Sequence, residues 1–114
     1  MKYIKLFEKS ENLGESLIGA VRNIDLNKIE ELINSGVDLN YQDSNGDTAL
    51  IWAVANDNFV IVELLIDAGA NLFLRSKYDY DFYDLSYIIG NDKRMKEFIE
   101  KKVPDFITIK KYNL

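Results

Sequence analysis

Two stretches of this chain repeat one another with an offset of 33 residues. Residues 32–43 read LINSGVDLNYQD and residues 65–76 read LIDAGANLFLRS, so leucine, isoleucine and glycine recur at matching places. The same offset places Asp81 on Thr48, which extends the similarity towards the carboxyl end. A fixed period of this length is typical of a structural unit that buries its apolar face only by stacking on its neighbours. The sequence therefore predicts an array of repeats.

Each repeat is predicted to consist of a helix, a turn and a second helix, followed by a projecting hairpin. In the middle copy, Thr48 stands where the first helix needs an N-cap, and Asn58 can cap the second helix. Gly69 follows that second helix and can adopt the positive φ that ends it. Asp43 and Gly46 fit the first and last positions of a type I turn in the hairpin. Local side-chain chemistry therefore agrees with the repeat period.

The middle copy, DSNGDTALIWAVANDNFVIVELLIDAGANLFLRS, resembles the ankyrin-repeat pattern. The matching residues are Asp43, Gly46, Thr48, Leu50, Ala53, Ile61, Val62, Leu64, Leu65, Gly69 and Ala70. The resemblance implies an all-α solenoid of about three helix-turn-helix repeats with short β-hairpin fingers. The family's proline and histidine are Ala49 and Ile51 here, so the hydrogen bonds that this histidine makes to neighbouring loops are absent. The two outer copies are degenerate, as is typical of capping repeats.

The resemblance implies a single domain over residues 1–114, divided into a capping segment, three repeats and a tail. The predicted boundaries are 1–13 for the N-terminal capping segment, 14–43, 44–76 and 77–102 for the repeats, and 103–114 for the C-terminal tail. Pro104 is expected to end the helix before it. We expect apolar residues at both ends to cover the ends of the solenoid, namely Ile4, Leu6, Phe7, Val103, Phe106, Ile107 and Ile109. The alternative for the tail is a strand that binds a partner or joins two copies.

Composition excludes several function classes. The chain has no cysteine and no histidine, which removes disulfides, thiol nucleophiles, zinc sites built from these residues and the commonest general base. A net charge of −5 argues against nucleic acid as a partner and favours a basic protein. The chain lacks both a long apolar run and the apolar block of a signal peptide. We therefore expect a cytoplasmic protein without membrane contact.

Two aspartate series suggest metal-binding loops, but neither has the required spacing. The series that begins at Asp79 and the one that begins at Asp43 both lack the glycine and the glutamate that a calcium loop needs. The six glycines are dispersed and form no phosphate-binding loop. We expect no metal, no cofactor and no enzymatic activity.

The segment KYDYDFYDLSY, residues 77–87, concentrates tyrosine and aspartate. The repeat register assigns its first four residues to a hairpin tip and makes Asp81 the N-cap of the next helix. Tyr83 and Tyr87 then take core positions. Trp52, the only tryptophan, is expected to pack in the seam between repeats, with an exposed binding anchor as the alternative.

In ankyrin-repeat proteins, contacts usually come from hairpin tips and from the exposed face of each first helix. Transferred by register, the candidate binding residues are Tyr41, Ser44, Asn45, Asp47, Ala55, Asn56, Phe73, Arg75, Lys77, Tyr78 and Tyr80, with Ile88 on the same helical face. Phe73 stands where the family usually has a small polar residue, and its alternative to exposure is packing on Tyr41 or Tyr78.

The resemblance implies a small non-enzymatic protein that binds a protein partner through its concave face and hairpin tips. We expect a monomer, with association through its ends as an alternative. Two other functions stay open. One is an immunity or inhibitor protein that neutralises a basic toxin or enzyme, and the other is a structural subunit of a larger assembly joined through the end caps.

Overall fold

The computed structural model describes residues 12–89 and 93–112, and these residues form seven α-helices. In chain order the helices are α1 (Leu13–Arg22), α2 (Leu26–Asn34), α3 (Ala49–Ala55), α4 (Phe59–Asp67), α5 (Phe82–Ile89), α6 (Arg94–Lys102) and α7 (Pro104–Tyr112). The inner helices α1, α3 and α5 pack side by side, and each also packs on the outer helix that follows it. The chain is therefore an all-α repeat solenoid, as predicted. The predicted capping segment, with Ile4, Leu6 and Phe7, lies almost wholly outside the described residues.

The helix caps lie where the sequence places them. The Thr48 hydroxyl accepts a hydrogen bond from the Ile51 amide at 3.2 Å, and the Asn58 side chain accepts one from the Ile61 amide at 3.0 Å. Asp81 caps α5 by accepting from the Asp84 amide at 2.8 Å. Such caps satisfy amide groups that the first turn leaves without a helical partner. They fix the start of each helix and therefore the spacing of the array.

The core runs through the array without a break. Leu65 on α4 and Val54 on α3 are fully buried, and Tyr83 on α5 is buried as predicted. The prediction for Tyr87 is wrong, because 55% of this residue is exposed. Helix α7 places Phe106 against the first turn of α5 and leaves Tyr87, one turn further on, without a cover.

The two hairpin fingers are turns rather than β-strands, which corrects the predicted β-hairpins. We call residues 40–47 finger 1 and residues 73–80 finger 2. Within finger 1, one backbone bond joins the Asp43 amide to the Asp47 carbonyl at 3.0 Å, and the flanking segments are too short to extend it into a strand ladder. Among the described residues no strand is present.

Finger 1 is bonded to finger 2. The Gln42 side-chain amide donates to the carbonyls of Gly46 and Arg75, both at 2.9 Å, and the Lys77 amide donates to the Asn45 carbonyl at 2.9 Å. Gly46 has φ +78°, and a Cβ there would lie 2.7 Å from the Lys77 amide nitrogen. Only glycine therefore allows both the turn and the close approach of the next finger.

The tail forms a helix, so the alternative of a tail strand is wrong. Helix α6 ends at Lys102, and Pro104 opens α7, where a missing amide hydrogen costs nothing. Phe106 is 3% exposed and packs on Phe73 and Phe82, with ring centroids at 5.0 and 5.4 Å. Helix α7 therefore covers part of the third repeat.

Candidate partner-binding surface

A groove lies beneath finger 1, between that finger and the inner helices α1 and α3. We call it the finger 1 groove. It encloses about 700 Å³ and is lined by Glu15, Ile18, Gly19, Arg22, Tyr41, Gln42, Asp43, Ser44, Asn45 and Trp52. Its depth comes from Gly19, which stands 33 residues before Trp52 and therefore occupies the same place in the repeat. No atom lies within 4 Å of the point where a Cβ of Gly19 would be, so the missing side chain leaves the space open.

The close packing of finger 1 on α1 depends on Gly14. A Cβ at Gly14 would lie 2.4 Å from the Cβ of Tyr41, which is far inside van der Waals contact. Glycine therefore lets the first turn of α1 touch the base of the finger. This contact places Tyr41 at the edge of the finger 1 groove.

Trp52 forms one wall of the finger 1 groove in a fixed orientation. Its indole nitrogen donates to Oδ2 of Asp43 at 2.9 Å, and the Arg22 guanidinium carbon lies 4.6 Å from the centroid of its ring. Oδ1 of Asp43 is itself held by the amides of Asn45 and Asp47, at 2.9 and 3.0 Å. Trp52 is partly buried and packs on the core, so it combines the two interpretations that the sequence left open.

On finger 1, three of the four predicted residues lie in the groove, and one does not. Tyr41, Ser44 and Asn45 line the groove. Asp47 is only 7% exposed, because finger 2 covers it, and the Tyr80 hydroxyl donates to its carboxylate at 3.4 Å. Burial, and then the nearby Asp43 carboxylate, raise the pKa of Asp47. Asp47 therefore supports the finger and offers little to a partner.

On finger 2, the predicted contact Arg75 is engaged within the protein. Its guanidinium donates to the side chain of Asp79 at 2.7 Å and to the carbonyl of Asp79 at 2.6 Å. It also forms an ion pair with Asp84 at 3.3 Å. Arg75 therefore holds finger 2 closed and links it to the start of α5.

Tyr78 is the exposed aromatic residue of finger 2, with 65% of its surface accessible. Its ring stacks on that of Tyr80 at 6.5 Å, and the Lys77 ammonium lies 5.3 Å from its centroid. Tyr80 is only partly exposed, because it reaches back to finger 1. Phe73 is 51% exposed and packs on Phe106 of α7, a partner that the sequence did not suggest.

The inner helices present one residue per repeat at the same register position. These residues are Arg22, Ala55 and Ile88, and each is exposed. Asn56, next to Ala55, is partly buried, and its side-chain amide donates to the Val21 carbonyl at 3.1 Å. Asn56 therefore joins α3 to α1 and is mainly a structural contact.

The sequence interpretation missed the contribution of α1 to the surface. Glu15, Ile18, Gly19 and Arg22 all line the finger 1 groove. The signal was present, because subtracting 33 from Ala55 gives Arg22, and subtracting it from Trp52 gives Gly19. The weak match of the first copy to the family pattern hid this correspondence.

A second, smaller cavity of about 460 Å³ lies beside α5 and is bordered by Tyr83, Asp84, Tyr87, Glu100, Ile107, Lys110 and Lys111. The Tyr83 hydroxyl donates to Glu100 at 2.5 Å, and the Tyr87 hydroxyl donates to the Tyr83 oxygen at 2.8 Å. Burial, and then the bond to Glu100, raise the pKa of Tyr83 well above its ordinary value. The polar groups of this cavity largely satisfy one another.

Across residues 12–89 and 93–112, no group of three acidic, cysteine or histidine side chains is placed to hold a metal ion. The predicted metal-loop aspartates instead pair with cations. The Lys110 ammonium lies 2.8 Å from Asp81 and 3.1 Å from Asp84. In the same part of the chain, no helix has the length and apolarity to cross a bilayer.

Comparison with known proteins bears on the whole array. A family model described as ankyrin repeats in three copies matches residues 12–99. An ankyrin repeat-containing protein of Treponema pallidum (strain Nichols) is 46% identical over 46 residues, which are 40% of this chain and 15% of that protein. The ankyrin repeat and KH domain-containing protein mask-1 of Caenorhabditis elegans is 33% identical over 96 residues, 83% of this chain and 4% of that protein. The human 2-5A-dependent ribonuclease is 37% identical over 78 residues, 68% of this chain and 10% of that protein.

The chain thus spans at most 15% of the length of these relatives. What it shares with them is the repeat array, with the helices, caps and positive-φ glycines described above. The family model covers far more than half of the chain. This protein belongs to the ankyrin-repeat family.

Proposed function

We propose that this chain binds a protein partner through its concave face, which comprises the finger 1 groove, the exposed inner-helix residues and the tip of finger 2. The observation that carries the proposal is the finger 1 groove, because it combines an oriented tryptophan, a stacked arginine and a tyrosine in one concavity. Tryptophan, tyrosine and arginine are the residues most enriched at binding hot spots. Solenoids of this kind present such extended concave surfaces to their partners.

The composition supports further properties of this function. A net charge of −5 favours a basic partner, since opposite charges speed the encounter. A basic toxin or enzyme would be one such partner. The absence of cysteine suits a reducing compartment, and we propose that the protein acts in the cytoplasm, as a monomer and without catalysis.

A pair of matched substitutions tests the binding face. Ala55→Arg places a bulky charge on the exposed face of α3, and Val60→Arg places the same charge on α4, where Val60 is 56% exposed. Cross-linking in the cell that makes the protein, followed by mass spectrometry, identifies the partners of each variant. We expect Ala55→Arg and Tyr78→Ala to lose the partner and Val60→Arg to retain it. Equal recovery from all three variants would exclude the concave face as the binding surface.

A second function, as a subunit of a larger assembly, is supported by exposed apolar residues on the first repeat. Leu13, Ile24 and Leu26 are 43%, 51% and 40% exposed. Sedimentation at increasing protein concentration tests this function. A dimer that Leu26→Lys abolishes supports it, and a single monomeric species at all concentrations contradicts it.

A further inference from the structure

Two opposite charges stand at the two ends of the finger 1 groove. Glu15 lies in the first turn of α1 and Arg22 is the last residue of that helix, and both line the groove. Seven residues separate them, so their Cα atoms lie about 10 Å apart along the helix axis. Within the part of the chain that the structure describes, neither residue forms an ion pair. Each is therefore available to an opposite charge on a partner.

Arg22 is held ready for a carboxylate. Its guanidinium lies over the Trp52 ring at 4.6 Å, and Trp52 is fixed by its bond to Asp43. Stacking on an indole face restrains the planar guanidinium but uses none of its five N–H groups. A carboxylate can therefore bond to it in the bidentate manner with little further loss of side-chain freedom.

The floor between the two charges is apolar and open. Ile18 is buried beneath it, Gly19 leaves space above it, and the Trp52 ring forms the wall. An aliphatic side chain entering this space would remove apolar surface from water on both partners. Each buried methylene contributes about 0.8 kcal/mol.

The spacing of the groove matches that of another helix. A partner helix has the same rise per residue as α1, so charges seven residues apart on it lie opposite Glu15 and Arg22. A residue four positions after the first charge lies on the same face, above the open space beside Gly19. The helix dipole favours an acidic residue near the N-terminus of the partner helix and a basic one near its C-terminus. That order places the partner helix antiparallel to α1.

We propose that the finger 1 groove receives one partner helix that carries an acidic residue, an aliphatic residue and a basic residue at positions i, i+4 and i+7. The acidic residue pairs with Arg22, the aliphatic residue fills the space beside Gly19, and the basic residue pairs with Glu15. The inference rests on the proposed protein-binding function and specifies the chemistry of the partner.

The probe is a stapled helical peptide of about 15 residues with Glu, Leu and Lys at those three positions in an Ala/Gln background. Trp52 is the only tryptophan and lines the groove, so its fluorescence reports occupancy. We expect a saturable change in its emission. Glu15→Lys should weaken binding about tenfold, and a peptide with Glu in place of Lys should restore it, since reversing both members of a pair recovers the attraction. Arg22→Glu should likewise be rescued by a peptide with Lys in place of Glu.

Control variants carry the same charge changes elsewhere. Glu30→Lys on α2 and Lys101→Glu on α6 alter exposed residues outside the groove and should leave binding unchanged. If Trp52 responds to no peptide, or if reversing the charges on variant and peptide together gives no rescue, the inference is wrong. Loss of the cellular partner in Ala55→Arg, found together with such a result, would leave the general binding function standing.

Discussion

Replacing Leu65 with alanine tests whether the repeats share one core. Leu65 lies on α4, and none of its surface is exposed. The change removes three carbon atoms, whose transfer from water contributes roughly 2.4 kcal/mol at about 0.8 kcal/mol per buried methylene. The cavity that remains adds to this loss, because the surrounding helices relax only partly, and Leu→Ala changes in cores cost about 2.7–5.0 kcal/mol in total. We therefore expect a loss of about 3–4 kcal/mol.

This loss is large for a chain of this size. Single domains are stable by about 5–15 kcal/mol, so the variant should lose a quarter or more of its stability. Urea denaturation followed by circular dichroism measures it, and with a slope of roughly 1.5 kcal/mol per molar urea the midpoint should fall by about 2 M. Val60→Ala, on the same helix at a position that is 56% exposed, serves as the matched control and should change the midpoint little. A loss below about 1 kcal/mol for Leu65→Ala would show that this helix does not complete a shared core.

Three further predictions concern the described contacts. The hydrogen bond from Tyr83, and then that from Lys96, lower the pKa of Glu100, so wild type should be more stable than Glu100→Gln above the ordinary Glu pKa of 4.5, with the difference vanishing as the pH falls below it; a difference that persists at pH 2 in thermal melts would contradict this. Gly19→Leu should fill the finger 1 groove and abolish peptide binding while the melting temperature stays equal or rises, since leucine favours a helix over glycine. Lys110→Met should remove the cation from the buried Asp81 and destabilise α7 by about 1–3 kcal/mol, measured as faster amide exchange in α7 alone.

The repeat period and the caps could be predicted from sequence because both depend on local chemistry. Thr48, Asn58 and Asp81 each accept a bond from an amide three residues away, so their positions in the chain suffice. Gly69 ends α4 with φ +97° for an equally local reason.

The candidate site was harder to predict, because its geometry depends on contacts between repeats. Asp47 is buried by a tyrosine 33 residues later, and Arg75 is neutralised by carboxylates on its own finger and on α5. The finger 1 groove exists because Gly19 lacks a side chain beside Trp52, and motif searching finds residues that are present rather than space. The tail was unexpected as a helix, since its apolar residues have no clear helical period.

The bond from Gln42 to the next finger bears on how such an array lengthens during evolution. Gln42 spans the gap to the carbonyl of Arg75, and Arg75 is the residue one period after Gln42 itself. At the equivalent place, however, Arg75 turns back onto Asp79 and extends no bond to a following finger. Duplication of the middle repeat would therefore place an arginine at an internal junction that needs glutamine. One codon thus separates a repeat that ends the series from a repeat that continues it.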